Sequence, residues 1–271
     1  MKTRITLMAA ALLAGSALTA TTATADETSI ATVVKIAGIQ WFNRMEEGVN
    51  QFAEDNGVNA FQVGPAQADP QQQAALIEDM IAQGVDALAV VPMSPEALEP
   101  VLGRAMEQGI TVITHEAAAQ QNTNYDIEAF RNEDFGANLM EQLATCMGGE
   151  GEYAVFVGSL TVPLHNAWAD AAIAYQKEAY PKMTMLGDRF GVAESVDETI
   201  KTTQDQLRAN PGLKGILTFG SQGPIGAARV LEDREVADKV ALVGGFSPGQ
   251  GVKYVKNGTI RGGFIWNPMT A

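Results

Sequence analysis

The chain has 271 residues, 32 of them acidic and 18 basic, for a formal charge of −14. Lys and Arg are dispersed along it, which excludes a nucleic-acid partner, because phosphate backbones demand a concentrated basic face. A chain this long buries enough core to fold without staples, so its one cysteine, Cys146, in the helical-looking run 135–147, reads as a small buried apolar group.

The chain opens Met1-Lys2-Thr3-Arg4, continues as an apolar, small-residue run over residues 5–20 and closes on Ala23-Thr24-Ala25. A basic start, an apolar run and an A-x-A exit are the parts of a secretory signal peptide. They predict cleavage after Ala25 and a periplasmic mature chain beginning at Asp26. The run is too short and too rich in Ala, Gly and Thr to span a bilayer, and no later apolar stretch reaches about 20 residues. No cysteine follows it to carry a lipid.

Beyond Asp26, apolar runs of strand length alternate with amphipathic stretches of helix length, which predicts a parallel α/β architecture. The strand candidates are residues 31–39, 58–63, 85–92, 110–115, 153–158, 183–190, 213–219, 240–246 and 259–266. Most are continuously apolar, as strands covered on both faces are. Between the first two, Phe42, Met45, Val49 and Phe52 recur at helical spacing and predict one buried face. The polar stretch 117–132 is long for a connection and reads as a crossing between two lobes. The expectation is therefore two doubly wound parallel-sheet lobes joined by a hinge. Residues 26–131 form the first lobe, 132–265 the second, and 266–271 return to the first.

In open α/β sheets ligands sit beyond the carboxyl ends of the strands. There the sequence places Lys35, Trp41, Phe42, Ser94, His115 and Glu116 in the first lobe. In the second it places His165, Asn166, Trp168, Gln222 and Ser247, with Trp266 and Asn267 at the return. Aromatic rings stack on the C–H faces of a sugar or polyol, while Lys, Glu, His, Asn and Gln satisfy its hydroxyls. Trp41 and Phe42 also suit a hydrophobic staple over the following helix, and His165 a plain helix start. A carboxylate ending a buried strand, as Glu116 does, is harder to explain without a partner.

No catalytic constellation emerges. His115 and His165 lack the carboxylate spacing of a metal site, and no nucleophile elbow, Walker loop or G-x-G-x-x-G follows a strand. Gly244-Gly245 and Gly262-Gly263 are too short to cradle phosphate and read as places where backbones pack closely. The residues predict a binder without cofactor or metal rather than an enzyme. Its ligand is small, polyhydroxylated and largely uncharged, because an anion would call for several arginines or a glycine nest.

The order of these signatures resembles the type I periplasmic binding proteins of sugar ABC importers, the ribose-binding and autoinducer-2-binding group. The carrying segments are Lys35-Ile36-Ala37-Gly38-Ile39-Gln40-Trp41-Phe42, Ala82-Gln83-Gly84-Val85-Asp86-Ala87-Leu88, Val91-Pro92-Met93-Ser94-Pro95, Ala105-Met106-Glu107-Gln108-Gly109-Ile110-Thr111-Val112 and Val243-Gly244-Gly245-Phe246-Ser247-Pro248. The resemblance implies a monomeric receptor that captures a sugar, a sugar alcohol or an autoinducer-2-like solute and delivers it to an inner-membrane ABC permease. A receptor that signals to a chemoreceptor or sensor kinase is the alternative. It implies that Lys35 binds ligand and that Glu116 stands where the autoinducer-2 receptors use an aspartate. Leu164-His165 replaces their Asp-Gln pair and Phe219 their ligand-side proline, which points to a different polyol or sugar. His115-Glu116 in place of the Asp-Arg pair of ribose receptors disfavours ribose. The family also adds helix and strand after the return, so the resemblance implies that such elements are missing beyond Ala271. Transcriptional regulators sharing the two-lobe core would need a basic helix-turn-helix where the signal segment stands.

Overall fold

The computed structural model describes residues 27–264 and 267–270. The expected signal segment and Trp266 lie outside the described residues. The first sheet is built from β1 (Ser29–Val33), β2 (Asn59–Val63), β3 (Ala87–Val90), β4 (Thr111–His115) and β5 (Tyr125–Ile127), in the order β2-β1-β3-β4-β5. The second contains β6 (Glu150–Val157), β7 (Lys182–Met185), β8 (Phe190–Gly191), β9 (Leu213–Thr218) and β10 (Ala241–Gly244). Its order is β10-β9-β6-β7, with β8 also paired to β6. Every ladder between these strands is parallel. Parallel neighbours need long crossovers, and helices supply most of them. These are α1 (Gln40–Asn56), α2 (Pro70–Gln83), α3 (Pro95–Glu107), α4 (Asn132–Met147), α5 (Pro163–Ala179), α6 (Val196–Ala209), α7 (Gly223–Asp233) and α8 (Pro248–Lys256).

The central strand β6 shows why the strand runs are continuously apolar. Tyr153, Val155 and Val157 enter a core with Leu139, Leu143, Trp168 and Ala172 of α4 and α5. Their neighbours Ala154 and Phe156 enter another with Ile225, Ala228 and Leu231 of α7. Strand side chains alternate between faces, so helices on both faces leave no position for a polar residue. In the first lobe α2 and α3 bury Ile77, Leu98 and Leu102 on Ala31, Val33 and Leu88. Phe42 and Met45 of α1 pack with Val34 and Val91 in a smaller cluster. Buried Gln73 of α2 ties the loop after β3, accepting from Met93 N–H at 2.8 Å and donating to the Val91 carbonyl at 2.8 Å.

The structure departs from the sequence expectations at four places. Residues 183–190 form two short strands rather than one, because Gly187 turns the chain at φ +61°. Thereafter β8 pairs further along β6, with Phe156 opposite Phe190. The stretch 117–132 is not all crossing: it contains the edge strand β5, hidden from sequence because Tyr125-Asp126-Ile127 is only three residues long inside a polar stretch, and its Tyr125 and Ile127 are 68% and 47% exposed rather than buried. Phe52 is 49% exposed, so the buried face of α1 ends early. The last turns of α1 are largely exposed, whereas Gly48, one turn earlier, packs closely on Met269. Residues 259–266 show only a bridge between Val243 and Gly262 within their described part. Here the expectation of close backbone packing holds, since a Cβ on Gly263 would lie 2.0 Å from the Gly244 carbonyl oxygen.

Candidate ligand site between the two lobes

The carboxyl ends of both sheets converge on one small cavity. From the first lobe it is lined by Lys35 and Ile39 after β1, Trp41 and Phe42 in the first turn of α1, and Glu116 after β4. From the second come Phe135, His165 and Trp168 on α4 and α5, and Glu194 after β8. Phe219, Gly220 and Ser221 follow β9, Gly245 and Phe246 follow β10, and Phe264 completes the wall. The cavity measures about 40 Å³. A site of that size holds a few water-sized groups. A ring-sized solute is larger than that space.

Lys35 is the electrostatic centre. Its Nζ lies 3.3 Å from Oε2 of Glu116 and 3.3 Å from Oε1 of Glu194, which joins the two lobes by an ion triad. All three side chains are buried. Burial works to lower the Lys35 pKa, but the charges of Glu194 and Glu116 and their hydrogen bonds prevail and hold it above its ordinary 10.5. The balance is the opposite at Glu194, which shares Lys35 with Glu116. There burial pushes the carboxyl up, Lys35 only partly offsets it, and Glu116 adds to it. Apart from that contact with Lys35, Oε1 of Glu194 has no hydrogen-bond partner among the described residues.

Glu116 occupies left-handed backbone at φ +63°, rare for a residue with a side chain. The turn is secured by Ala117 N–H donating to Oδ1 of Asp126 at 3.2 Å. It brings the carboxylate back toward Lys35. Preceding it, His115 uses Nδ1–H to donate to the Ile127 carbonyl at 2.7 Å, tying β4 to the edge strand. His165 receives the Gly158 N–H on Nδ1 at 3.0 Å. Its ring proton therefore sits on Nε2. Burial, and then the Lys35 charge, lower its pKa well below the ordinary histidine value, so it is a neutral donor.

The aromatic wall is itself a packed stack. Trp168 lies 5.5 Å from the His165 ring and 4.3 Å from Phe135, and its Nε1–H donates to Asn132 Oδ1 at 2.8 Å.

Of the residues singled out from sequence, Lys35, Trp41, Phe42, Glu116, His165, Trp168 and Phe219 meet at the cavity. Trp266 lies outside the described residues, and the other described ones do not line it. Ser94 caps α3, its Oγ accepting from Ala97 N–H at 3.4 Å. His115 holds β5, and Asn166 donates to the Ser159 and Val162 carbonyls at 3.0 and 2.7 Å. Gln222 contacts Ser221 Oγ at 3.1 Å. Ser247 and Asn267 line a separate cleft of about 650 Å³ beside α1. Ser94, His115 and Asn166 share a physical reason: polar groups at the ends of strands and helices satisfy backbone as readily as ligand. Sequence reasoning missed Glu194. The available signal was its place just past the strand run 183–190, where a carboxylate occupies the carboxyl end as Glu116 does in the first lobe.

Two parallel-sheet lobes facing each other across an aromatic, ion-bearing cleft define a two-lobed α/β binding protein. The chain belongs to the family described as periplasmic binding protein domain, whose model matches residues 30–271. It is 25% identical over 227 residues to the D-xylose-binding periplasmic protein of Haemophilus influenzae, covering 81% of this chain and 66% of that protein. It is 25% identical to the xylitol-binding protein of Mycolicibacterium smegmatis, covering 82% and 63%. The chain thus spans about two thirds of the length of these relatives. Among solved structures, an ABC transporter solute binding protein from Clostridium phytofermentas with bound L-rhamnose matches at TM-score 0.85 and 28% identity, over 90% of this chain and 77% of that one. A solute binding protein from Burkholderia graminis in complex with D-arabinose matches at TM-score 0.82 and 26% identity, over 90% and 84%.

Proposed function

We propose that the chain is the ligand-capturing receptor of an ABC importer, working as a monomer in the periplasm on a small polyhydroxylated solute that it delivers to an inner-membrane permease. It binds and carries, and performs no chemistry on the solute. The observation that carries this reading is the cleft itself, where polar groups of both lobes converge on one aromatic-walled cavity. Relatives whose names state xylose, xylitol, rhamnose and arabinose support the sugar or polyol class. Export rests on the first 25 residues, and mass spectrometry of the periplasmic protein should find Asp26 at its N-terminus. Retention of the basic, apolar segment in the exported protein excludes cleavage there.

A ligand closes two lobes only by binding the closed form better than the open one, and here that requires contacts to both. Glu116 and His165 supply one contact from each side. In calorimetric titration against a panel of sugars and sugar alcohols, Glu116→Ala and His165→Ala should each weaken binding about ten- to hundredfold, the worth of a charged or buried hydrogen bond of about 1.5 to 3 kcal/mol. Small-angle scattering should show the wild-type monomer compacting on ligand addition. Unchanged affinity in both variants, or binding without compaction, rules out the clamp.

A further inference from the structure

We propose that Asn132 is a positioning residue that ties the crossing between the lobes to the wall of the ligand cavity, holding Trp168 with one end of its side-chain amide and Glu128 with the other. The proposal rests on the sugar-receptor reading above, because it takes Trp168 and its neighbour His165 as the parts of the wall that meet the solute.

The chain passes from the first lobe to the second in residues 128–131, between the end of β5 at Ile127 and the start of α4 at Asn132. An asparagine at such a junction ordinarily caps the helix. Here the cap position falls on Arg131, which makes no side-chain capping bond, and Asn132 stands one residue inside. Its amide is used elsewhere. Oδ1 accepts from Trp168 Nε1–H at 2.8 Å, and Nδ2 donates to Oε2 of Glu128 at 3.4 Å. An indole N–H can only donate, so it fixes which end of the amide faces it and leaves the NH2 group for the carboxyl.

The two arms differ in strength. The indole arm is short, and Trp168 is buried, lines the cavity and lies 5.5 Å from the His165 ring. The Glu128 arm is near the limit of a hydrogen bond, so it is the one that a small rotation of the crossing makes or breaks. Glu128 is half-buried and faces Asp126 on β5 and His115 and Glu116 at the end of β4. Each of these is engaged: Asp126 by Thr114 Oγ1 and Ala117 N–H, His115 by the Ile127 carbonyl, Glu116 by Lys35. Among the described residues only Asn132 donates to Glu128. Burial, and then the Asp126 charge, push the Glu128 carboxyl up to about 7, so it gains and loses its charge in the neutral range. Ionised, it holds the amide harder, because a charged acceptor makes the stronger bond. Rotation of the crossing and ionisation within it thus reach the cavity wall through the same side chain.

The test begins with tryptophan emission of the ligand-free protein, scanned from about pH 5.5 to about pH 9, with Trp168→Phe to assign the share of Trp168. Wild type should show a shift of that share with its midpoint near pH 7. Glu128→Gln, which lacks the titrating group, and Asn132→Leu, which lacks the amide, should not. In calorimetric titration with the panel of sugars and sugar alcohols, Asn132→Leu should bind about tenfold more weakly and Glu128→Ala several-fold more weakly. Glu128→Gln, whose amide oxygen still accepts from Asn132, should keep the wild-type affinity. Thermal melts confirm folding. A shift that survives in Asn132→Leu overturns the proposal, because the carboxyl then acts on the indole directly. So do the absence of a shift in wild type and an unchanged affinity in Asn132→Leu. Should Asn132→Leu not fold, wild-type affinity in Glu128→Ala overturns it instead. If nothing in the panel binds the wild type, the sugar reading falls, and the emission scan still decides the coupling.

Discussion

Lys35→Met should destabilise the ligand-free protein by about 3 to 5 kcal/mol, the usual cost of removing one partner from a buried ion pair. For a chain of this size that corresponds to a fall in Tm on the order of 10 °C. Methionine matches the lysine stem in volume, so the loss reports charge rather than a cavity. Glu116 and Glu194, both buried, would face each other without a cation. The sign of the pH dependence follows from the groups involved. The Lys35 pKa is raised above 10.5 in the folded protein, so its stabilisation is fully present below pH 10.5 and is lost only as pH rises beyond that. In the variant both carboxylates lose their cation, and the pKa of Glu194, which burial already holds above the ordinary 4.5, rises further. The penalty therefore grows as pH rises from about 4.5 through that raised value, and it shrinks in acid, where Glu194 is protonated. The Tm gap between wild type and Lys35→Met should be widest near pH 8 and should narrow toward pH 5. Adding Glu194→Gln to Lys35→Met should restore a large part of the stability, because one of the stranded charges is gone. An equal gap at both pH values, or no recovery in the double variant, shows that the triad is not what Lys35 contributes.

Gly158→Ala should cost binding about tenfold or more, although it adds only one methyl group. A Cβ at this position would lie 2.5 Å from Nδ1 of His165 and 2.8 Å from both Cγ and Oε1 of Glu194. No carbon fits at those distances, so both side chains must move. Glu194 is long enough to yield. His165 sits in the first turn of α5 against Trp168, so its ring can move only by giving up the Gly158 N–H. A buried acceptor and a buried N–H are then both unpaired, at about 1 to 3 kcal/mol for each group left unsatisfied. The readouts are the Tm and the affinity for whichever sugar or polyol the wild type takes from the panel. Gly158→Ala with unchanged affinity and unchanged Tm would mean that the cleft tolerates a displaced His165, and hence that this histidine does not shape the site.

The amino-acid sequence by itself determined the architecture and half of the site. Hydrophobic burial is local and periodic, so runs such as Tyr153-Ala-Val-Phe-Val157 announce a strand covered on both faces, and the alternation of such runs with helical periods announces parallel sheets. Glu116 was legible as a buried carboxylate at a strand end, and Lys35 as its family counterpart. Tertiary structure decided what periodicity does not encode. The short, exposed β5 is a strand only because β4 lies beside it, with Ile113 opposite Tyr125. Ser94, Asn166 and Gln222 turned from the cavity to backbone and side-chain partners of their own. Glu194 entered the site only because the second lobe carries the end of β8 to within 3.3 Å of Lys35, 159 positions earlier in the chain. A charge has no period, and which charges meet depends on the packing of two lobes that each fold around a separate core.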